Sequence, residues 1–412
     1  MSTPTPALWR GRIIALAGIF FIALNVRTAV AAISPIVGVI ENDIPISSLG
    51  LGFLGMLPPI AFAIAGIAAP ALARSRGLDA SLLIASAAMV SGSALRAVSD
   101  SYLLLALGSL IALAGMGLGN VLLPPAVKKY FPDRLATVTG GYVVLISLGA
   151  ATPALFAAPV AEVAGWRVSV AVWAVLALTA FTPWLVLTLR SRRAKRTAAL
   201  DASVVPVVSG ISVWAVAKSR TAWAITIAFA VESIARILAA SGVTVETAGF
   251  TAVEAGAMLS LFGLIGIPLG IVSPILADRV SNIGAVMAGG VLAGALGYLG
   301  LAFVPTTLTG VSVVLVGLGT VLFPLCLVLI NLRTRSHQGS AALSGFVQSV
   351  AYTVAALGPF AVALVRDLSG GWFWPLMFLL ISSLLALISA VMLARPSFVE
   401  DELGIAVSSL DD

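Results

Sequence analysis

The sequence predicts an all-α membrane protein of twelve transmembrane helices, arranged as two pseudo-symmetric six-helix bundles, and three observations carry that prediction. Of 412 residues, 60% are hydrophobic and only 10% are charged, with a mean hydropathy of +1.12. Apolar stretches long enough to cross ~30 Å of hydrocarbon at ~1.5 Å per residue recur along nearly the whole chain, whereas a membrane β-barrel would show short alternating segments. The second half also repeats the first. GLGNVLLP at Gly117 to Pro124 returns as GLGTVLFP at Gly317 to Pro324, Pro70-Ala71-Leu72-Ala73 pairs with Pro274-Ile275-Leu276-Ala277, and Gly165-Trp166 pairs with Gly371-Trp372, at offsets of 200, 204 and 206 residues. Three matches in order at nearly one offset point to duplication of a six-helix unit.

Taken in order, the spans are expected at about 12–38, 49–72, 79–98, 102–127, 136–160, 167–189, 219–244, 253–277, 282–303, 308–332, 341–366 and 372–394. Pro45 and Ser47-Ser48 break the chain before the second span, Phe131-Pro132-Asp133 before the fifth, Gly165 before the sixth and Gly370-Gly371 before the twelfth. The longest polar break runs from Arg190 to Lys218 and holds Arg190, Arg192, Arg193, Lys195 and Arg196. It divides the chain into a first bundle (1–189), a basic central loop (190–218) and a second bundle (219–412) that ends in a short acidic tail.

Loop charges predict the orientation. Eighteen of the 23 Lys and Arg residues fall on one side, among them Arg12, Arg74, Arg76, Lys128, Lys129, Arg134, the central loop, Arg279, Arg333, Arg335 and Arg395. Those loops and both termini are expected in the cytoplasm of an inner-membrane protein. The net charge of +6 is therefore an orientation signal, and no nucleic-acid function is read from it. One cysteine, Cys326, and one histidine, His337, cannot build a disulfide framework or a His/Cys metal site within the chain. Cys326 reads as a small packing residue and His337 as a solvated loop residue. The first apolar run is too long for a cleavable signal and is expected to remain. The chain has no GxxxxGK[ST] loop for ATP and no cluster of His, Cys or paired acids near a membrane surface, so neither a pump nor a membrane enzyme is expected, and no cofactor.

Ionisable residues inside the spans are the functional candidates. Arg27 lies in the middle of the first apolar run, where a guanidinium that cannot discharge costs about 3 kcal/mol on insertion scales. It needs a countercharge, from an anionic or polar ligand or from a carboxylate, and so is expected to face a central cavity. The repeat offset of about 205 carries Arg27 onto Glu232 in the seventh span, which suggests a cation and a carboxylate facing each other across the pseudo-twofold axis. Glu232 and Arg236 are four apart and share a helix face. Two readings stand: they neutralise each other and pin the seventh span, or they line the cavity with Arg27, with Glu232 exchanging a proton or countercharging a substrate amine. Two arginines against one carboxylate favour an anionic or zwitterionic substrate.

Other polar residues are candidates for orienting a ligand. Asn25 lies two residues from Arg27, about 200° around the helix, so the two cannot face the cavity equally. Asn120 in the fourth span has Thr320 as its repeat partner. Ser344, Gln348 and Tyr352, spaced by four, form one polar face of the eleventh span; bonding between helices without a ligand is the alternative reading. Arg96, Arg167 and Arg366 lie near predicted helix ends and read as interfacial anchors. Gly115, Gly117, Gly119 and Pro124-Pro125, with Gly317, Gly319 and Pro324, allow close packing and local kinks.

Several of these stretches resemble the major facilitator superfamily, and more narrowly its cyanate and 2-nitroimidazole transporter branch, over roughly residues 12 to 394. The matching pieces are Leu24-Asn25-Val26-Arg27 with Ser34-Pro35, Gly119-Asn120-Val121-Leu122-Leu123-Pro124 leading to Lys128 and Phe131-Pro132, and Leu343-Ser344-Gly345-Phe346-Val347-Gln348-Ser349 with Tyr352 and Gly358-Pro359. Ala277-Asp278-Arg279 is similar to the superfamily's acidic-basic gating loop, while Ala73-Arg74-Ser75-Arg76-Gly77 lacks the acid. In the seventh span the family's Gln-Ser is Glu232-Ser233 here, so a neutral site residue has become ionisable. The resemblance implies secondary active transport of a small solute by alternating access, and the polar residues within the spans make Arg27, Asn25, Asn120, Glu232, Arg236, Gln348 and Tyr352 the expected substrate-binding set near mid-membrane. A proton is the expected coupling ion and a monomer the expected state. A proton-antiport exporter and a non-transporting sensor are the alternatives.

Overall fold

A computed structural model describes residues 12–201, 211–239, 252–304 and 306–405. The first span is made of α1 (Ile13–Asn25) and α2 (Thr28–Ile33), followed by a short α3 (Val37–Asp43). The next five spans are α4 (Ser48–Arg76), α5 (Leu78–Ala97), α6 (Tyr102–Tyr130), α7 (Leu135–Ala164) and α8 (Trp166–Asp201). The seventh and eighth places are taken by α9 (Arg220–Ala239) and α10 (Ala252–Arg279), which border residues outside the described set. Then come α11 (Ile283–Phe303), α12 (Thr309–Gly319) with α13 (Leu322–Leu332), α14 (His337–Ser369), α15 (Phe373–Leu384) with α16 (Ala386–Leu393), and a short α17 (Val399–Glu402). Ten segments among the described residues are long and apolar enough to cross a membrane; α9 and α10 bring the spans to twelve. Gly77 (φ +86°) and Gly165 (φ +85°) join α4 to α5 and α7 to α8 through single left-handed residues, a conformation that a Cβ would strain. The helix α8 runs on to Asp201, past the end expected at 189, because its polar extension is rich in the helix formers Ala, Arg and Lys.

The first span is discontinuous, which the continuous stretch expected at 12–38 did not foresee. Asn25 donates from Nδ2 to the Phe21 carbonyl at 2.8 Å and to the Leu176 carbonyl of α8 at 3.3 Å, and Thr28 Oγ1 donates to the Asn25 carbonyl at 2.9 Å. Side chains that bond nearby backbone compete with the helical ladder, and the helix opens into a turn at Val26–Arg27. The tenth span breaks in the same manner. Thr320 Oγ1 bonds the Gly317 carbonyl at 2.7 Å, ending α12, whereas α6, with Asn120 at the equivalent place, runs unbroken through Pro124 and Pro125.

The two halves meet along α4 against α14 and α7 against α10. A Cβ at Gly345 would strike Pro70 and the Gly66 carbonyl, and one at Gly66 would come 2.6 Å from the Ser349 backbone, so glycine permits this crossing. At the end of the bundle that carries the basic loops, Lys128 reaches from α6 to the C-terminal end of α13. Its Nζ donates to the Asn331 carbonyl at 2.6 Å, to the Thr334 carbonyl, and to the Thr334 hydroxyl at 3.2 Å. Carbonyls at a helix C-terminus have no partner in their own helix and carry partial negative charge. The adjacent Lys129 stays within its own half, bonded to Asp79 at 2.9 Å together with Tyr130 and Ser191.

The start of the acidic tail closes the same end. Glu400 is fully buried and accepts from the backbone N–H groups of Arg335 (3.0 Å) and Ser336 (3.1 Å) at the N-terminus of α14. Asp401 pairs with Arg335 at 2.7 Å, and Glu402 accepts from the Ser219 and Thr221 hydroxyls at 2.6 Å each, at the start of α9. The hydrogen bond from Arg335 holds the Asp401 carboxyl below its usual value; burial raises that of Glu402, but bonds from Ser219 and Thr221 outweigh it. Groups with depressed folded values stabilise above the ordinary carboxylate range and lose that effect as pH falls through the depressed values. Hydrogen exchange of residues 399–405 is therefore expected to be slow at pH 7 and to accelerate, after correction for intrinsic rates, below about pH 4.

Candidate functional site

The polar face of the eleventh span meets the first and fourth spans near the middle of their helices. Arg27, half-buried at the turn between α1 and α2, donates from Nη2 to the Tyr352 hydroxyl at 3.3 Å. Asn120 donates from Nδ2 to Gln348 Oε1 at 2.6 Å and to the same Tyr352 hydroxyl at 3.2 Å. Gln348 Nε2 donates to Ser344 Oγ at 2.9 Å and to the Asn120 carbonyl at 3.3 Å, and Ser344 Oγ closes the chain on the Val121 carbonyl at 2.7 Å. The Tyr352 hydroxyl thus accepts twice, and its own proton has no acceptor among the described residues. Asn120 Oδ1 is buried with no donor among them.

Aromatic rings frame this network. The Arg27 guanidinium lies 5.4 Å from the Phe62 ring centroid, a cation–π distance. Phe62 and Phe229 meet Tyr352 edge-on at 5.2 and 5.5 Å, and Phe323 stands 5.5 Å from Phe229. Sequence reasoning missed Phe62 and Phe229, since an aromatic residue inside an apolar span gives no sign of which side it faces.

The other candidates fall elsewhere. Asn25 is fully buried against α8 and away from the Tyr352 network. Glu232 is buried one turn beyond Phe229 on α9. No ion pair joins it to Arg27 among the described residues. The repeat offset makes their positions equivalent, and equivalence under a pseudo-twofold axis is not contact. Arg236 lies one turn further along α9, and its side chain is outside the described residues. Asp278 and Arg279 are exposed at the end of α10 and make no ion pair among the described residues; the charged bridge between the halves at the basic end comes from Lys128. Arg167 matches its expected place at a helix end, bonded to Asp43 at 2.6 Å and stacked on Trp166. Arg96 does not: it is 1% exposed and donates to the Ala29 carbonyl at 3.2 Å, because close crossing of α5 and α6 at Gly92 and Gly108 encloses it.

Twelve spans, discontinuous first and tenth helices, and a polar network joining the halves within the bundle define a membrane transport protein rather than an enzyme. Residues 16–342 match the Major Facilitator Superfamily, and the chain belongs to that family of secondary transporters. It is 30% identical over 399 residues to the 2-nitroimidazole transporter of Escherichia coli (strain K12), covering 96% of this chain and 99% of that one. Over 82 residues, 20% of this chain and 48% of the relative, it is 44% identical to a Thauera aromatica protein with the provisional name anionic 4-hydroxy-benzoate permease. The E. coli fucose:proton symporter FucP has the same fold, with a TM-score of 0.71 at 14% identity, covering 93% of this chain and 98% of that one.

Proposed function

We propose that this protein is a proton-coupled secondary transporter of small planar organic anions in the inner membrane, working as a monomer with its basic end in the cytoplasm. The observation that carries the reading is the set of unused donors at the site. Arg27 has no carboxylate partner among the described residues, and the Tyr352 hydroxyl, accepting from Arg27 and Asn120, has its proton left to donate. A carboxylate or similar oxyanion takes both, and an arginine fork holds it with charge-assisted bonds. Phe62 and Phe229 suit a flat ring, and the unpartnered Asn120 Oδ1 suits a donor on it. A hydroxybenzoate has all three features. The zwitterion is less favoured, because no ion pair joins Glu232 to Arg27 among the described residues.

Alternating access then means rocking of residues 1–189 against 219–412 about this network. Glu232, buried within the second bundle on the helix that carries Phe229, is the proposed proton carrier. Uptake of radiolabelled 4-hydroxybenzoate into proteoliposomes is expected to rise with an inward proton gradient; uptake indifferent to that gradient would remove the coupling. Glu232→Gln is expected to abolish gradient-driven accumulation while exchange of preloaded substrate continues, and intact accumulation in that variant would exclude Glu232 as the carrier.

A second reading, favoured by the likeness to the E. coli 2-nitroimidazole transporter, is outward transport of a nitroheterocycle in exchange for protons. Accumulation of 2-nitroimidazole in inverted vesicles, with none of 4-hydroxybenzoate, would select it. Binding without flux in either orientation would indicate a sensor.

A further inference from the structure

Behind the site lies a second buried arginine. Arg96 is enclosed in the last turn of α5, 1% exposed, with Nη2 on the Ala29 carbonyl at 3.2 Å and Nε without a partner. No carboxylate pairs with it among the described residues. It is neither an interfacial anchor nor half of an ion pair. Its charge is tolerated there because the carbonyl end of α5 supplies a negative dipole, and because glycine makes room: a Cβ on Gly108 would come 2.9 Å from both the Arg96 backbone nitrogen and its Cγ. A guanidinium cannot discharge to escape such a place. The group it touches belongs to α2, two residues beyond Arg27.

We propose that Arg96 is a positioning and specificity-determining residue: it holds α2 through the Ala29 carbonyl and adds a fixed positive potential that favours anions over cations at Arg27. The inference rests on the anion reading above. Two positive groups in one bundle, neither paired with a carboxylate among the described residues, make a field that water screens poorly where Arg96 is enclosed. Ala29 also lines a cavity of about 270 Å3 together with Val30, Leu54, Pro58 and Ser109, and the Ser109 hydroxyl is buried there without a partner. This cavity adjoins Arg96 through Ala29 and Gly108, so a thiol placed on its wall reports the local potential.

The test uses Val30→Cys in a Cys326→Ala background and compares modification by the anionic sulfonatoethyl and the cationic trimethylammonioethyl methanethiosulfonates. Arg96→Gln is expected to lower the anion-to-cation rate ratio about three- to tenfold, the size of losing one poorly screened charge nearby, and Arg96→Lys to retain it. A purely structural role would alter both rates together and leave their ratio unchanged, and an unchanged ratio in Arg96→Gln overturns the proposal. Should Arg96→Gln not be recovered folded, Arg96→Lys decides: a retained ratio is expected, and loss of it with the charge still present overturns the proposal. The ratio requires no substrate to bind. Absence of 4-hydroxybenzoate binding to the unmodified protein therefore defeats the substrate reading alone, while the thiol ratio decides on Arg96.

Discussion

Arg27→Ala is expected to weaken 4-hydroxybenzoate binding about 100-fold, equivalent to roughly 3 kcal/mol, because charge-assisted bonds to a carboxylate are lost in a poorly hydrated site. The same change is expected to leave insertion and folding intact. Among the described residues the Arg27 side chain makes one hydrogen bond, to Tyr352 at 3.3 Å, and one contact with the Phe62 ring. Against these stands a desolvation cost of about 3 kcal/mol at mid-membrane, which alanine removes. Melting temperature without ligand should therefore hold or rise, while the ligand-induced increase, which follows mass action, disappears. Arg27→Lys should recover only part of the affinity, since an ammonium keeps the charge and loses the planar fork. Unchanged binding in Arg27→Ala would mean that the anion is held elsewhere.

Lys128→Met is expected to open the basic end of the protein. The lysine spans the halves with bonds to the Asn331 and Thr334 carbonyls at the end of α13, so these bonds exist only while that end is closed. Hydrogen bonds to a charged group are worth about 1.5–3 kcal/mol each. Losing even one such contribution shifts a two-state equilibrium at least tenfold or so toward the open form. A cysteine at Ala341, which lines the cleft with Pro125 and Lys129, should then react about tenfold faster with a membrane-impermeant maleimide. Lys129→Met is the control. Its partner Asp79 lies in the same half, so only the local effect of removing a charge from the wall of this cleft is expected, well short of tenfold, and an equal effect of the two substitutions would show that the bridge is not a latch.

The spans were legible because hydropathy is a local property, and a chain that must satisfy every backbone group in lipid has only the helix available. Breaks within spans were not. Whether Asn25 opens the first span depends on finding the Leu176 carbonyl beside it, about 150 residues away along the chain. The spacing of Ser344, Gln348 and Tyr352 revealed their shared face, since that follows from helix geometry, but their partners Asn120 and Val121 come from the other half. Arg96 misled for a related reason. A cation near a helix end is read as interfacial, and only the close crossing at Gly92 and Gly108 shows that the end is roofed over. The pairing of Arg27 with Glu232 came from repeat arithmetic, which maps positions and not the directions in which side chains turn.

The tail segment has a meaning for how the protein is made. The starts of α9 and α14 are more than a hundred residues apart, yet both depend on Glu400 and Glu402 for their hydrogen bonds. Residues 399–402 leave the ribosome after every span of the second half. The insertion machinery therefore handles those helices while the Arg335 and Ser336 amides and the Ser219 hydroxyl still lack their carboxylates. Assembly of the second half is completed after synthesis of its spans rather than in step with it, and a shortened chain ending before Val399 would hand quality-control proteases a bundle whose basic face never seals.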